Sequence, residues 1–207
     1  MNITEQYTWL ENTAPDSASY KYIIPYISGK RVLDLGCGSG VYLEKFGNNS
    51  IGVDASIVNL RRLRSKELPG LRADICRRLP FQEGSFDVVF CSHILEHVSS
   101  PFDLLKECRR VLKNDGIIIV TVPIEKSLAR LILRDHYYRG HPTHLYSFSM
   151  DGMKQLLSLS GFKFCARFVD LPGVRKIHGL WLLDLFQKLP FSFSRRIASN
   201  FWVIGEK

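Results

Sequence analysis

Several features that would set this chain apart from an ordinary globular protein are missing. Its five cysteines (Cys37, Cys76, Cys91, Cys108, Cys165) include no C-x-x-C pair, so neither a disulfide framework nor a thiolate zinc site is indicated. Those inside apolar runs act as small hydrophobes. No uncharged apolar stretch reaches the 18 residues or so that a spanning helix needs. The nearest candidate, "IHGLWLLDLFQKLPF" from Ile177, is broken by Asp184 and Lys188. The opening "MNITEQYTWLENTAP" has neither the basic start nor the apolar stretch of a secretion signal, and a cytoplasmic location is the expectation. There is no internal repeat and no low-complexity segment.

What is present fits one domain with one core: 207 residues, 45% apolar and 23% charged, with the size and composition of a soluble fold. The net charge of +8 is unevenly placed. Up to Glu125 there are 15 basic and 15 acidic residues, and from Lys126 onward 13 against 5. A surface of that kind draws anionic small molecules, nucleic acid or an anionic membrane face, or simply keeps the protein soluble.

Short apolar runs alternate with helix-like stretches, which predicts βαβ units around a parallel sheet. The expected strands are "RVLDLG" from Arg31, "SIGVD" from Ser50, "LRAD" from Leu71, "FDVVFCS" from Phe86, "GIIIVTVP" from Gly116, "FKFCARFV" from Phe162 and "NFWVIGE" from Asn200. Runs apolar on both faces suit strands covered by helices on both sides. Ser56 is a good N-cap for "IVNLRRLRSKEL", whose Ile57, Leu60 and Leu63 form a stripe before Pro69-Gly70. Ser100 followed by Pro101 starts "FDLLKECRRVLK", with Leu104, Leu105, Cys108, Val111 and Leu112 on the buried face and Asn114-Asp115-Gly116 ending it. Ser149 caps a further helix.

Three glycines close together, Gly36, Gly38 and Gly40, end the first strand. Glycine there lets a ligand approach the backbone, and a following helix would present free N–H groups to it. A dinucleotide turn would read G-x-G-x-x-G, but its sixth position here is Val41, which argues against a nicotinamide-linked oxidoreductase. No G-K-[S/T] follows, so a P-loop is excluded as well.

"VLDLGCGSG" resembles the first motif of the class I S-adenosylmethionine (SAM) dependent methyltransferases, in their small-molecule branch, with Asp34 its acidic residue. "IGVDAS" and "LRADIC" are similar to the next two motifs, and "LPFQEGSFDVVFCSHILEHV", "LLKECRRVLKNDGIIIVTVP" and "HLYSFSMDGMKQLLSLSGF" to later ones. The match runs in order from about Arg31 to Phe162. It implies a Rossmann-like, doubly wound, seven-stranded sheet with the last strand antiparallel. It also implies SAM as cofactor, with Gly36, Gly38 and Gly40 around its methionine part and Asp54 on the ribose hydroxyls. Asp74 and Ile75 are implied at the adenine, with Ala55 and Ser92 completing the site. A carboxylate suits a vicinal diol because its two oxygens accept both donors. Lys113-Asn114-Asp115-Gly116 stands where the family often has Lys-Pro-Gly-Gly and keeps the turn chemistry.

The resemblance implies methyl transfer to a small-molecule acceptor, with oxygen as the expected atom, in a metabolic, glycan or lipid/quinone pathway. A SAM-binding scaffold without catalysis is the alternative. SAM carries its own leaving group, so the protein must hold the acceptor in line and remove a proton where required. "CSHILEHV" at the end of strand four supplies His93, Glu96 and His97, and "HPTHLY" supplies His141 and His144. His93 and His97 are one helical turn apart, and His93, His97 and His144 are the candidate general bases, with Glu96 in an orienting role. The same stretch is similar to the E-x-x-E-H of quinone-pathway O-methyltransferases, which implies a divalent cation there. His93 stands in place of the first Glu and magnesium prefers oxygen ligands, so no metal is assigned. A transition metal held by Glu96 with histidines is the minor alternative.

Methylation of nucleic-acid amino groups is argued against by Cys91-Ser92-His93-Ile94 in place of an Asp/Asn-Pro-Pro-aromatic motif, and no nucleic-acid partner is expected. The expected organisation is one domain over residues 1–207. Within it, 1–30 is a helical lid or packing segment carrying Tyr7, Trp9, Tyr20 and Tyr22, and 172–199 is an amphipathic insertion before the last strand. For the insertion, internal packing, a homodimer contact, a lid over a greasy acceptor and peripheral binding to an anionic membrane all remain open.

Overall fold

The computed structural model describes residues 17–124, 144–170, 187–188, 198 and 200–207. The first segment gives α1 (Ser17–Ile27), β1 (Val32–Leu35), β2 (Ile51–Asp54), α2 (Ile57–Ser65), β3 (Gly70–Arg72), β4 (Phe86–Ser92), α3 (Pro101–Val111) and β5 (Leu112–Pro123). The remainder gives α4 (Met150–Leu159), β6 (Lys163–Asp170) and β7 (Asn200–Glu206). His141, Tyr7, Trp9 and nearly all of the 172–199 insertion lie outside the described residues.

The seven strands form one sheet in the order β3-β2-β1-β4-β5-β7-β6. β1 to β5 pair in parallel, and β7 runs antiparallel to both β5 and β6. The order therefore reverses between β1 and β4, the switch point at which open α/β sheets leave a crevice at their carboxyl edge. Side chains alternate between the two faces. Leu33, Leu35, Val89, Ile118, Val120 and Val122 pack with Leu105 of α3 and Met153 of α4. Val32, Val88, Phe90, Ile119 and Trp202 pack with Ile23 of α1 and Leu63 of α2. β6 is an edge strand, and the Gln187 side chain closes part of that edge by accepting from Val169 N–H and donating to Val169 O.

The serine caps act as expected: Ser56, Ser100 and Ser149 Oγ accept from Asn59, Asp103 and Gly152 N–H. Four local expectations change. Ile57 is 46% exposed, so the α2 stripe rests on Leu63 and the half-buried Leu60. α2 stops at Ser65, because Glu67 takes a left-handed φ of 57° before Pro69 is reached. α3 ends at Val111, because Leu112 already pairs with Phe86 as the start of β5. No α-helix follows the glycines; a single 3₁₀ turn, Leu43–Lys45, spans that connection. Only ten residues separate Gly40 from β2, and Tyr42 and Phe46 spend them packing on Phe90.

Candidate functional site

All the parallel strands deliver their following loops to the same edge. After β1 the chain turns through Gly36, Gly38 and Gly40, with φ of 65°, 53° and 82°. Gly36 and Cys37 N–H both donate to Val53 O, and Lys66 Nζ holds Ser39 O, so the loop is fixed between β1 and β2. The glycines differ in what surrounds them. A Cβ on Gly36 would fall on the Ile94 side chain and one on Gly40 on Leu63 and Leu68, whereas one on Gly38 would meet nothing within 4 Å. Gly36 and Gly40 are therefore packing glycines, and Gly38 leaves a bare cradle facing open space.

Asp54 ends β2 beside that cradle. Its Oδ2 accepts from Gly38 N–H at 2.9 Å and its Oδ1 from Ser56 N–H at 2.8 Å. These bonds hold the carboxylate rigid and leave each oxygen further acceptor capacity for a diol. Asp34, next to last in β1, is 2% exposed, and its Oδ2 has no hydrogen-bond partner. Burial first, and then the Asp54 charge, push its carboxyl well above the usual range. A buried carboxyl with an unmet oxygen beside a bare backbone cradle fits a cationic ligand, and SAM brings both an ammonium and a sulfonium. Ala55 follows Asp54, and its carbonyl accepts from Arg72 Nε. Asp74, beyond β3, is half exposed; it accepts from Cys76 N–H and pairs with Arg77, while Ile75 packs against the core. Ser92 ends β4, in register with Thr121.

The loop after β4 departs from the sequence expectation. Residues 93–99 form turns rather than a helix, so His93 and His97 do not share a helical face. His93 takes a left-handed φ of 55°, fixed by its N–H donating to Thr121 O. Such strain in a histidine persists where surrounding structure over-determines it, which is common at functional sites. Its Nδ1 lies 3.2 Å from Glu96 Oε1, with His93 34% exposed and Glu96 fully buried. Because an ionised carboxylate only accepts, Nδ1 carries the proton in this pair and Nε2 is left as the acceptor. Burial pushes the Glu96 carboxyl up, but the His93 hydrogen bond outweighs it and holds it below its ordinary value. His97 instead meets His144, with ring centroids 4.8 Å apart at 70°.

Sequence reasoning missed Thr121, a fully buried hydroxyl without a partner; its one signal was a polar residue closing the apolar run "GIIIVTV". It also missed Ser56 N–H as a holder of Asp54. At the opposite, amino edge of the sheet a basic depression is lined by Lys106, Arg109, Arg110 and Lys207. Three of its cations already serve the fold: Arg109 binds Gly161 O, Arg110 binds Glu107 and Lys207 binds Leu112 O.

Comparison with known proteins shows the family to which the chain is similar. The family model described as "Methyltransferase domain" matches residues 33–120. The mitochondrial ubiquinone biosynthesis O-methyltransferase of Schizosaccharomyces pombe is 32% identical over 199 residues, covering 87% of this chain and 70% of that protein. An uncharacterized protein of Methanocaldococcus jannaschii is 38% identical over 148 residues, which is 70% of this chain but 61% of that protein, so the chain spans under two thirds of that relative's length. A solved SAM-dependent methyltransferase from Archaeoglobus fulgidus superposes with a TM-score of 0.72 over 97% of this chain and 99% of its own at 24% identity, a likeness of fold.

Proposed function

Since the chain belongs to the class I SAM-dependent methyltransferase family, we propose that it binds SAM at the carboxyl edge and transfers its methyl group to a hydroxyl oxygen of a small molecule. The observation that carries the proposal is the joint placement of the open Gly38 cradle, the rigid Asp54 carboxylate and the unmet Asp34 oxygen at the switch point. SAM bound there would supply an electrophilic methyl group for transfer to the acceptor oxygen, with its sulfur as the leaving group. The chain's own work is orientation and proton removal. Gly38, Asp54 and Asp34 hold the donor, with Ala55, Asp74, Ile75 and Ser92 around it. His93, its Nδ1 fixed by Glu96, presents Nε2 at the lip of the crevice to take the proton of the acceptor hydroxyl. The name of the Schizosaccharomyces pombe relative supports oxygen as the atom methylated and favours the quinone branch among the lipid, glycan and other metabolic acceptors.

Calorimetric titration of SAM and S-adenosylhomocysteine into wild type and Asp54→Asn tests the donor half. Losing hydrogen bonds to a charged group costs about 1.5–3 kcal/mol, so the variant's Kd rises by roughly 10- to 150-fold. Incubation with SAM and a panel of phenols and catechols, read by mass spectrometry, tests the acceptor half. Absence of binding to the wild type refutes the proposal.

A further inference from the structure

We infer that Glu96, His97 and His144 form a binding site for one divalent transition-metal ion of the zinc class. The three side chains each offer a ligand atom, and these atoms all lie within 4.8 Å of one another. An ion bound at about 2.0–2.2 Å in tetrahedral geometry places its donors roughly 3.4 Å apart, so the set closes on it with side-chain movements of about 1 Å. The backbone brings the residues together across a long sequence gap. Leu145 and Tyr146 N–H both donate to Glu96 O, and Tyr146 Oη donates to Ser99 O, which docks the His144 segment against the loop after β4.

A second observation points independently to a ligand. Glu96 is 0% exposed and its Oε2 accepts no hydrogen bond, while Oε1 is engaged by His93. A buried carboxylate oxygen left unmet costs free energy that a coordinated cation offsets. The sequence assigned no metal because His93 stood where a carboxylate ligand was expected. The structure removes His93 from the donor set, makes it the outer partner that orients the carboxylate, and brings His144 in. Two imidazoles and one carboxylate favour zinc, cobalt or nickel over magnesium, and three protein ligands leave a position open. A hydroxyl occupying that position would have a lowered pKa. That use rests on the methyl-transfer proposal; the binding site does not.

The test is titration of Co2+ into chelator-treated, tag-free full chain, followed by visible absorption. One equivalent is expected to produce a ligand-field band that equimolar Zn2+ abolishes and excess Mg2+ leaves unchanged. Because even outer partners of a metal site are worth about 10–100-fold in affinity, His144→Ala and Glu96→Gln should each weaken binding by at least that much. SAM calorimetry on the same samples reports the fold and the donor site. No band in protein that binds SAM overturns the metal site and leaves the methyl-transfer proposal standing. Equal Co2+ affinity in wild type and His144→Ala also overturns it. A band in protein that does not bind SAM supports the metal site and removes the methyl-transfer proposal.

Discussion

Gly36 and Gly38 lie two residues apart in one loop, with nearly the same left-handed φ, 65° and 53°, yet a methyl group added at each should fail for different reasons. An L-residue in that conformation costs about 1–2 kcal/mol relative to glycine. At Gly36 the new Cβ would also fall on Ile94, which packs against the main core cluster, and forced overpacking adds about 1–3 kcal/mol. Gly36→Ala should therefore lose roughly 2–5 kcal/mol of stability. At Gly38 no atom lies within 4 Å, so Gly38→Ala should lose only the conformational part, about 1–2 kcal/mol. On the proposed donor site its methyl would enter the space the donor needs, and SAM affinity should fall by more than roughly tenfold, equivalent to about 1.4 kcal/mol.

Urea unfolding followed by circular dichroism gives the stabilities, and calorimetry gives the affinities. The double variant Gly36→Ala with Ile94→Ala should recover the steric part of the loss and show clear non-additivity, because the two groups touch. Gly38→Ala with wild-type affinity for SAM would refute the cradle, since a ligand that tolerates a methyl there does not approach that backbone. A Gly38→Ala as destabilised as Gly36→Ala would refute the packing distinction between the two glycines.

His93→Ala should lower kcat by about 10²–10⁴-fold, the usual worth of general-base catalysis, with the Kd for SAM unchanged; a parallel loss of SAM affinity would give His93 a structural role instead. Glu107 accepts from Leu79 N–H at 2.7 Å and from Arg110 at 2.6 and 2.8 Å. The Arg110 bonds outweigh burial and hold its carboxyl below the ordinary value. A depressed carboxyl contributes stability above its unfolded pKa of about 4.3 that is lost as the pH falls through the lower folded value. Glu107→Gln should accordingly cost about 1.5–3 kcal/mol at pH 7 and flatten the acid side of the stability profile measured by urea unfolding between pH 7 and 3. Ser149→Ala removes the α4 cap, a 3.0 Å bond from Gly152 N–H, and should cost about 1 kcal/mol without affecting SAM binding.

Features set by local chemistry were legible in the sequence. "FDVVFCS" coincides with β4, Ser100-Pro101 with the start of α3, and the glycine triplet with a left-handed loop. Features set by tertiary contact were not. Nothing near Val111 signals that its helix stops one residue before Leu112 pairs with Phe86. A histidine has no intrinsic reason to adopt a φ of 55°; it does so because Thr121 O takes its N–H. The meeting of His97 with His144 depends on hydrogen bonds to one carbonyl, Glu96 O, donated from far along the chain. Helical periodicity put His93 and His97 on one face, and the turns that replace the helix separate them, giving His93 to Glu96 and His97 to His144.

Unsatisfied polarity shows where the molecule has been shaped for something other than its own folding. Among the described residues, the buried side-chain polar atoms without a hydrogen-bond partner are Asp34 Oδ2, Glu96 Oε2 and Thr121 Oγ1. Each leaves a cost of about 1–3 kcal/mol unrelieved. None lies at the amino edge: Asp34 is next to last in β1, Thr121 nears the end of β5, and Glu96 sits in the loop after β4 between them in the sheet order. Strand alternation puts Asp34 on the face of Val32 and Thr121 on that of Ile119, the face covered by α1 and α2. Glu107, Asp87 and Glu44, by contrast, are carboxylates paired with cations. A chain able to satisfy those groups has no packing reason to leave three unmet along one edge. The cost is therefore concentrated where a bound ligand can remove it, and ligand binding and fold stability should rise together at that edge.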